Sequence, residues 1–309
     1  MPRISVIMSA HNAEKYIKEA IDSILNQSFK DFEFIIIDDG SDDSTKGIIL
    51  SYSNSKIRLV ENKKNLGLIT SLNKGLKIAK GEYIARMDAD DISLPQRLKK
   101  QAEFLDRNRD IAVLGSWIQI IDARSKEGCI IKHNSDPVII KWMQIFKNQI
   151  AHPSSFFRKK AIDEVGHYRK KYKYAEDYDL WSRVLRKYKV VNLPEVLVKY
   201  RVHSESVCGN LENRKIQNSS ISRIIFNNIN FYINLNNRDF KILNNAFKNN
   251  KILSFKSLIK VIKIYKNLFN SYVKKENLNN LESAKIYQNY KEKRKALFRL
   301  YLRSKFYKN

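Results

Sequence analysis

The sequence predicts an α/β fold, a mainly parallel sheet flanked by helices, followed by a basic α-helical extension. Three observations predict it. Short β-branched runs alternate with helical patterns over the first 110 residues. Two acidic clusters, Asp38-Asp39 and Asp88-Ala89-Asp90-Asp91, each directly follow such a run. Beyond Cys208 the chain has no Pro, Gly209 is its only Gly, and Lys, Asn, Ile, Phe and Tyr take over.

In order, Ile4 to Met8 is an apolar run suited to a buried strand, and Asn12 is placed to cap the helix carrying Ile17, Ala20, Ile21, Ile24 and Leu25 at helical spacing. Phe32 to Ile37 reads as the second strand, and Asp43 or Ser44 as the cap of a helix reaching Ser51. Ile57 to Val60 is the third strand. The loop Asn65-Leu66-Gly67 then leads into a helix with Leu68, Leu72, Leu76 and Ala79 on one side, stopped by Gly81. Glu82 to Met87 is the fourth strand. Ser93 with Gln96 has the form of a capping box for a helix to Arg107, with Pro95 in its tolerant first turn. From Ile111 to His203, strands Ile111 to Leu114, Trp117 to Ile121, Val190 to Leu193 and Val196 to Tyr200 flank helices near Val138 to Lys147 and Tyr178 to Lys187. The expected divisions are 1–110, 111–208 and 209–309.

Strand and helix alternating at these lengths imply parallel pairing. Ligands of such sheets bind beyond the carboxyl ends of the strands. Asp38, Asp39, Asp88, Asp90 and Asp91 are therefore expected on one rim, although 50 residues separate the two clusters.

Composition narrows the function. With 309 residues, 43% hydrophobic and 29% charged, the chain can bury a sizeable core. No apolar run approaches the length of a membrane span, and Met1-Pro2-Arg3-Ile4 lacks a signal-peptide pattern, so the expected location is the cytoplasm. Cys129 and Cys208 are too few and too far apart to suggest a disulfide framework or a zinc site. Neither a Walker-type loop nor a Gly-x-Gly-x-x-Gly turn is present.

Carboxylates crowded at one sheet edge repel each other unless a cation sits among them. A divalent Mg²⁺ or Mn²⁺ bridging to a diphosphate accounts for the arrangement, because Asp-x-Asp supplies hard oxygen ligands. Taken singly, Asp-Asp-Gly-Ser is also the composition of a plain turn. Two such clusters after two buried strands argue for a site.

The chain resembles the family 2 glycosyltransferases of the GT-A fold over roughly residues 3 to 205. The matching stretches are Ser5-Val6-Ile7 with Asn12, Ser28-Phe29 through Asp38-Asp39-Gly40-Ser41, Asn65-Leu66-Gly67, Asn73-Lys74-Gly75, Gly81-Glu82-Tyr83-Ile84 and Met87-Asp88-Ala89-Asp90-Asp91. Later come His152-Pro153-Ser154, Glu176-Asp177-Tyr178-Asp179-Leu180-Trp181 and Tyr200-Arg201-Val202-His203. The nearest likeness is to bacterial enzymes of lipopolysaccharide, O-antigen or capsule synthesis.

The resemblance implies an inverting, metal-dependent transfer of a hexose or N-acetylhexosamine from a nucleotide diphosphate donor, UDP favoured, to a glycan or lipid-linked glycan acceptor. It implies that Asp39 contacts the base, framed by Ser9, Ala10 and Asn12, with Asn65, Gly67, Asp88 and Ala89 also on the nucleotide sugar. Asp90 is the main implied metal ligand, with Asp88 and His203 beside it. Asp177 is the implied general base and Glu176 its partner or the acceptor's, with His152 and Trp181 on the acceptor side. Ser9 and His11 stand where many members carry Pro and Tyr, and Asp91 leaves the choice of metal ligand open between neighbours.

The formal net charge is +26. From Asn210 onward there are about 22 Lys/Arg against about 5 Asp/Glu. Ile252, Phe255, Leu258, Ile259, Ile262 and Tyr265 recur at helical spacing among Lys251, Lys256, Lys260, Lys263 and Lys266. This pattern fits a helix lying on the inner face of an anionic membrane, or one packed on the protein with a solvated lysine face. Nucleic acid is the less favoured polyanion. The rival to an enzyme is a non-catalytic membrane- or nucleic-acid-binding protein on a transferase scaffold.

Overall fold

The structure is a computed structural model that describes residues 1–203, 211–247, 252 and 254–306; Cys208, Gly209 and Lys251 lie outside the described residues. It divides into two compact units, 1–140 with 148–220, and 141–147 with 221–309.

The first unit runs β1 (Ile4–Ala10), α1 (Ile17–Leu25), β2 (Phe32–Asp38), α2 (Thr45–Leu50), β3 (Ile57–Glu61), α3 (Leu68–Ile78), β4 (Tyr83–Asp88), β5 (Ile92–Ser93), α4 (Arg97–Arg107), β6 (Ile111–Ile121), β7 (Glu127–Ile131), α5 (Pro137–Met143), β8 (Phe156–Arg158), α6 (Lys159–Val165), α7 (Glu176–Val184) and β9 (Lys189–Arg201). One sheet joins all the strands, in the order β3-β2-β1-β4-β8-β6-β9-β5, with β7 paired to β6. β1, β2, β3 and β4 are mutually parallel where they pair, as are β6 and β9; β8 runs antiparallel between β4 and β6. Residues 1–110 and the described residues 111–203, divided in sequence, thus share this sheet.

Alternate residues of each central strand feed opposite layers, which is why these strands read as continuous apolar runs. Val6, Met8, Phe34 and Ile36 pack with Ile17, Ile21 and Ile24 of α1 and with Leu98 and Leu105 of α4. Ile7, Ile35 and Ile37 pack with Leu72 and Leu76 of α3 and with Leu180 and Val184 of α7. Gly75 lets α3 come close: a Cβ there would sit 2.6 Å from Ile7 Cγ2 and 3.1 Å from Ile37 Cδ1. Gly75→Ala is therefore expected to cost about 1–3 kcal/mol through overpacking, read as a lower denaturation midpoint.

Several local expectations are corrected. Ile111 to Leu114 and Trp117 to Ile121 form one strand, as do Val190 to Leu193 and Val196 to Tyr200. The register slips where Leu193 pairs Ser116 and Val196 pairs Trp117, so Pro194, which has no N–H to donate, is carried in an irregularity instead of breaking the strand. β5, β7 and β8 are too short or too exposed to give a periodic signal. Asn12 does not cap α1, which begins after Tyr16; its backbone is left-handed, with φ 50°. Ser93 belongs to β5 and not to a capping box. The buried Gln27 closes the start of α4 instead, its Oε1 accepting from Leu98 N at 3.0 Å while its Nε2 donates to Leu94 O at 2.8 Å.

The second unit is helical: the latter part of α8 (Leu211–Asn230), then α9 (Asn237–Phe247), α10 (Phe255–Lys275) and α11 (Asn280–Phe306). Trp142, contributed by the short segment 141–147, is the fully buried hub of an aromatic cluster with Phe146, Tyr265, Phe269 and Tyr272, and its Nε1 donates to Asn289 Oδ1 at 3.1 Å. Most of α10's apolar face (Leu258, Val261, Tyr265, Leu268, Tyr272) is buried, and Lys260 pairs with Asp239 at 2.5 Å. Of the stripe expected to lie on a membrane, Ile252, Leu258 and Tyr265 are buried in this core, whereas Phe255 and Ile259 stay exposed. Among the described residues no helix is long and apolar enough to cross a membrane.

Candidate active site

Register brings the acidic clusters together. Ala10 pairs with Asp38 on one side of β1, and Ser9 pairs with Asp88 on the other. Asp38 folds the turn after β2, accepting from Ser41 N at 3.2 Å and from Ser41 Oγ at 2.5 Å. Gly40, with φ +69°, leaves no room for a Cβ, which would lie 2.5 Å from the Lys64 carbonyl carbon. The loop after β1 is laced to this turn: Asn12 N donates to Ser41 Oγ and Asp42 N to Asn12 Oδ1, both at 3.1 Å.

Asp39 is buried and pins the next loop. Its Oδ1 accepts from Asn62 Nδ2 at 2.7 Å and Leu66 N at 2.9 Å, and its Oδ2 from Gly67 N at 2.8 Å. Three of the about four lone-pair sites on a carboxylate are thereby engaged. Asn65 Oδ1 also receives Gly67 N, at 2.9 Å. The Asn73-Lys74-Gly75 stretch acquires separate jobs. Asn73 exchanges two hydrogen bonds with the Tyr168 backbone, Lys74 Nζ donates to Asn62 Oδ1 at 2.8 Å, and Gly75 seats the helix on the sheet.

At the end of β4, one carboxylate oxygen each from Asp88, Asp90 and Asp91 lies within 4.8 Å of the others. Asp90 Oδ2 is 3.0 Å from His203 Nε2. Asp91 is 1% exposed; its Oδ1 accepts from Arg201 N at 2.8 Å, but its Oδ2 has no partner. Burial first, then the neighbouring carboxylates, pushes Asp91 well above the usual carboxylate range, and burial raises Asp88 as well. Mutually repelling oxygens, those of Asp91 buried and one of them unpartnered, with an imidazole alongside, fit a hard divalent cation. Ala89 is buried between them.

Two arginines that sequence reasoning passed over organise this rim. Arg86, 3% exposed, points from β4 to an ion pair with Asp88, and its charge also acts on Glu176, Asp177 and His152. Arg201 spans the site from β9. Its Nε donates to Asp90 O at 2.8 Å, its Nη1 reaches Asp122 O and Ser125 Oγ, and its Nη2 pairs with Glu19 at 2.5 Å. A cation inside an otherwise apolar strand run was the available signal for Arg86.

Glu176 and Asp177 open α7. Asp177 is half-buried; its Oδ1 accepts from Tyr178 N and its Oδ2 from Asn148 Nδ2, both at 2.7 Å. Burial pushes Asp177 up to about 6. Glu176, 5% exposed, is pushed up to about 7 by burial and then by Asp177. Asp88 also acts electrostatically on Glu176, which ties this pair to the acidic rim. Asp179, the third acid of the turn, is spent on Arg169 and Arg183.

His152 Nε2 lies 2.8 Å from the Tyr168 hydroxyl, and burial, then Arg86, holds it well below its ordinary value, so it is neutral. Trp181 is 0% exposed, packed on Phe157 and His152. It has no face to offer, and its expected acceptor contact is corrected to a core role.

Residues 5–167 match the family model for glycosyl transferase family 2. An uncharacterized glycosyltransferase of Haemophilus influenzae is 37% identical over 271 residues, 82% of this chain and 83% of that protein. The O-antigen biosynthesis glycosyltransferase WbnJ of Escherichia coli is 38% identical over 208 residues, 66% of this chain and 81% of WbnJ. Among solved structures, TarS 1–349 of S. aureus in complex with UDP-GlcNAc superposes with a TM-score of 0.62 at 19% identity, covering 87% of this chain and 81% of that one. The mannosyltransferase PcManGT of Pyrobaculum calidifontis, in complex with GDP-Man and Mn²⁺, gives 0.58 at 15% identity, covering 100% and 88%. The sheet, the acidic rim and these matches agree: the chain belongs to glycosyl transferase family 2 and has the GT-A fold.

Proposed function

We propose that the protein is an inverting, metal-dependent transferase that moves a hexose or N-acetylhexosamine from a nucleotide diphosphate sugar, UDP favoured, to a hydroxyl of a lipid-linked surface glycan at the cytoplasmic face of the membrane. The observation that carries the reading is Asp177: a half-exposed carboxylate, aimed by Asn148 and the Tyr178 N–H, coupled electrostatically through Arg86 to the acidic rim. In support of the donor class, solved neighbours of the same fold hold UDP-GlcNAc and GDP-Man; the surface-glycan acceptor draws on the similarity to WbnJ.

In this reading the nucleotide lies across the ends of β1 and β2, against Ser9, Ala10, Asn12 and Asp39, with Asn65 and Gly67 closing over it. Asp88, Asp90, Asp91 and His203 would hold Mg²⁺ or Mn²⁺, which supplies neutralisation of charge on the departing diphosphate. Asp177 takes the proton from the acceptor hydroxyl as that oxygen bonds to the anomeric carbon and the bond to the diphosphate oxygen breaks. A single displacement inverts the anomeric centre and needs no enzyme nucleophile. Glu176, near half-protonation at neutral pH, can donate a hydrogen bond to the acceptor or orient the base.

The base must be deprotonated to act. Since its folded value is raised to about 6, kcat should fall about tenfold per unit as the pH drops below about 6. A panel of nucleotide sugars, scored for Mn²⁺-dependent release of nucleoside diphosphate, tests the function. Release from at least one donor is expected; no release from any donor with either metal would overturn the enzyme reading.

A further inference from the structure

With most of α10's apolar face consumed by the helical core, a smaller apolar surface stands out beside it. Phe255 is 55% exposed and Ile259 39% on α10; Phe298 is 48% exposed and Leu302 40% on α11. Phe255, Ile259 and Ile262 follow at helical spacing, as do Phe298 and Leu302, so each set occupies one stripe. The stripes adjoin: the Phe255 and Tyr301 ring centroids are 5.9 Å apart, and Ile262 and Phe298 line one groove of about 390 Å³ with Arg294, Lys295 and Arg299. Exposed Lys256, Lys263, Lys266 and Arg303 extend the basic rim.

We propose that this face docks the protein on an anionic lipid bilayer, Phe255, Ile259, Phe298 and Leu302 entering the acyl boundary while the surrounding cations meet headgroup phosphates. It names the surface that would bring the transferase to a lipid-linked acceptor, and to that extent rests on the reading above. Charge identifies the occupant. α10 and α11 carry 14 Lys/Arg and 2 Asp/Glu, so a second copy of the same face would be strongly repelled. An apolar patch ringed by cations is complementary to a bilayer with negative headgroups.

The test is co-sedimentation of the full-length protein with vesicles of phosphatidylcholine alone, and of phosphatidylcholine with one third phosphatidylglycerol. Binding is expected only with the anionic lipid. Phe255→Gln/Phe298→Gln should weaken it by about tenfold or more, and Arg294→Gln/Lys295→Gln by about fivefold per charge removed. Helical circular dichroism of both variants must match the parent, and Mn²⁺-dependent donor hydrolysis in solution should not change, so loss of docking is read apart from loss of chemistry. Equal binding to neutral vesicles, undiminished binding by the aromatic double variant, or capture of single-stranded RNA in place of vesicles would each overturn the proposal.

Discussion

Asp177→Asn is expected to abolish transfer while leaving the donor bound. The substitution preserves volume and can keep the contact with Asn148, but an amide cannot accept the acceptor's proton. The loss should be about a thousandfold in kcat, within the range that general-base catalysis supplies. The Michaelis constant for the donor should stay near the parent value, because the nucleotide site proposed above does not include Asp177. The acid limb of the pH profile should disappear with the base that causes it. Steady-state kinetics from pH 5 to 8 on the variant's residual rate checks both statements; an unchanged kcat would assign proton removal to another group, Glu176 being nearest in sequence.

Asp90→Ala carries the second large effect. Asp90 joins the acidic cluster to His203, so removing it takes away one carboxylate oxygen and the imidazole's contact with the cluster. Changes in the surroundings of metal ligands alone cost about 10–100-fold in metal affinity, and loss of a ligand should exceed that. The metal concentration for half-maximal activity should rise by more than about 100-fold, measured by titrating Mn²⁺ at saturating donor. His203→Gln should show the same direction with a smaller shift. An unchanged Mn²⁺ requirement in Asp90→Ala would move the ligand role to Asp88 and the unpartnered oxygen of Asp91.

What was legible in the sequence was whatever periodicity and strand ends control. The four parallel strands, their helices and the gathering of Asp38, Asp39, Asp88 and Asp90 on one rim all follow from buried runs that end in acids. The link between Asp90 and His203, separated by 113 residues, was suggested by family resemblance and not by any local pattern. What escaped was tertiary. Gln27 replaces a capping box because a fully buried amide from α1's end reaches the first turn of α4. Trp181 sits on α7 beside Glu176 and Asp177 but faces the core, and a single position on a short helix does not reveal which way it points. Arg86 pairs with Asp88 two residues along the same strand, but Arg201 reaches Asp90 from β9, a relation no window of sequence contains. Half of the tail's apolar stripe, Ile252, Leu258 and Tyr265, is core while Phe255 and Ile259 stay exposed, a division that helical spacing alone does not reveal.

The most direct measurement is electron paramagnetic resonance of free Mn²⁺ titrated into the protein with UDP, then into Asp90→Ala under the same conditions. The free-ion signal should be suppressed up to a single equivalent of metal by the parent, more tightly with UDP than without, and should persist with the variant. A full free-ion signal from the first addition to the parent, with and without nucleotide, would contradict a divalent cation at the acidic rim.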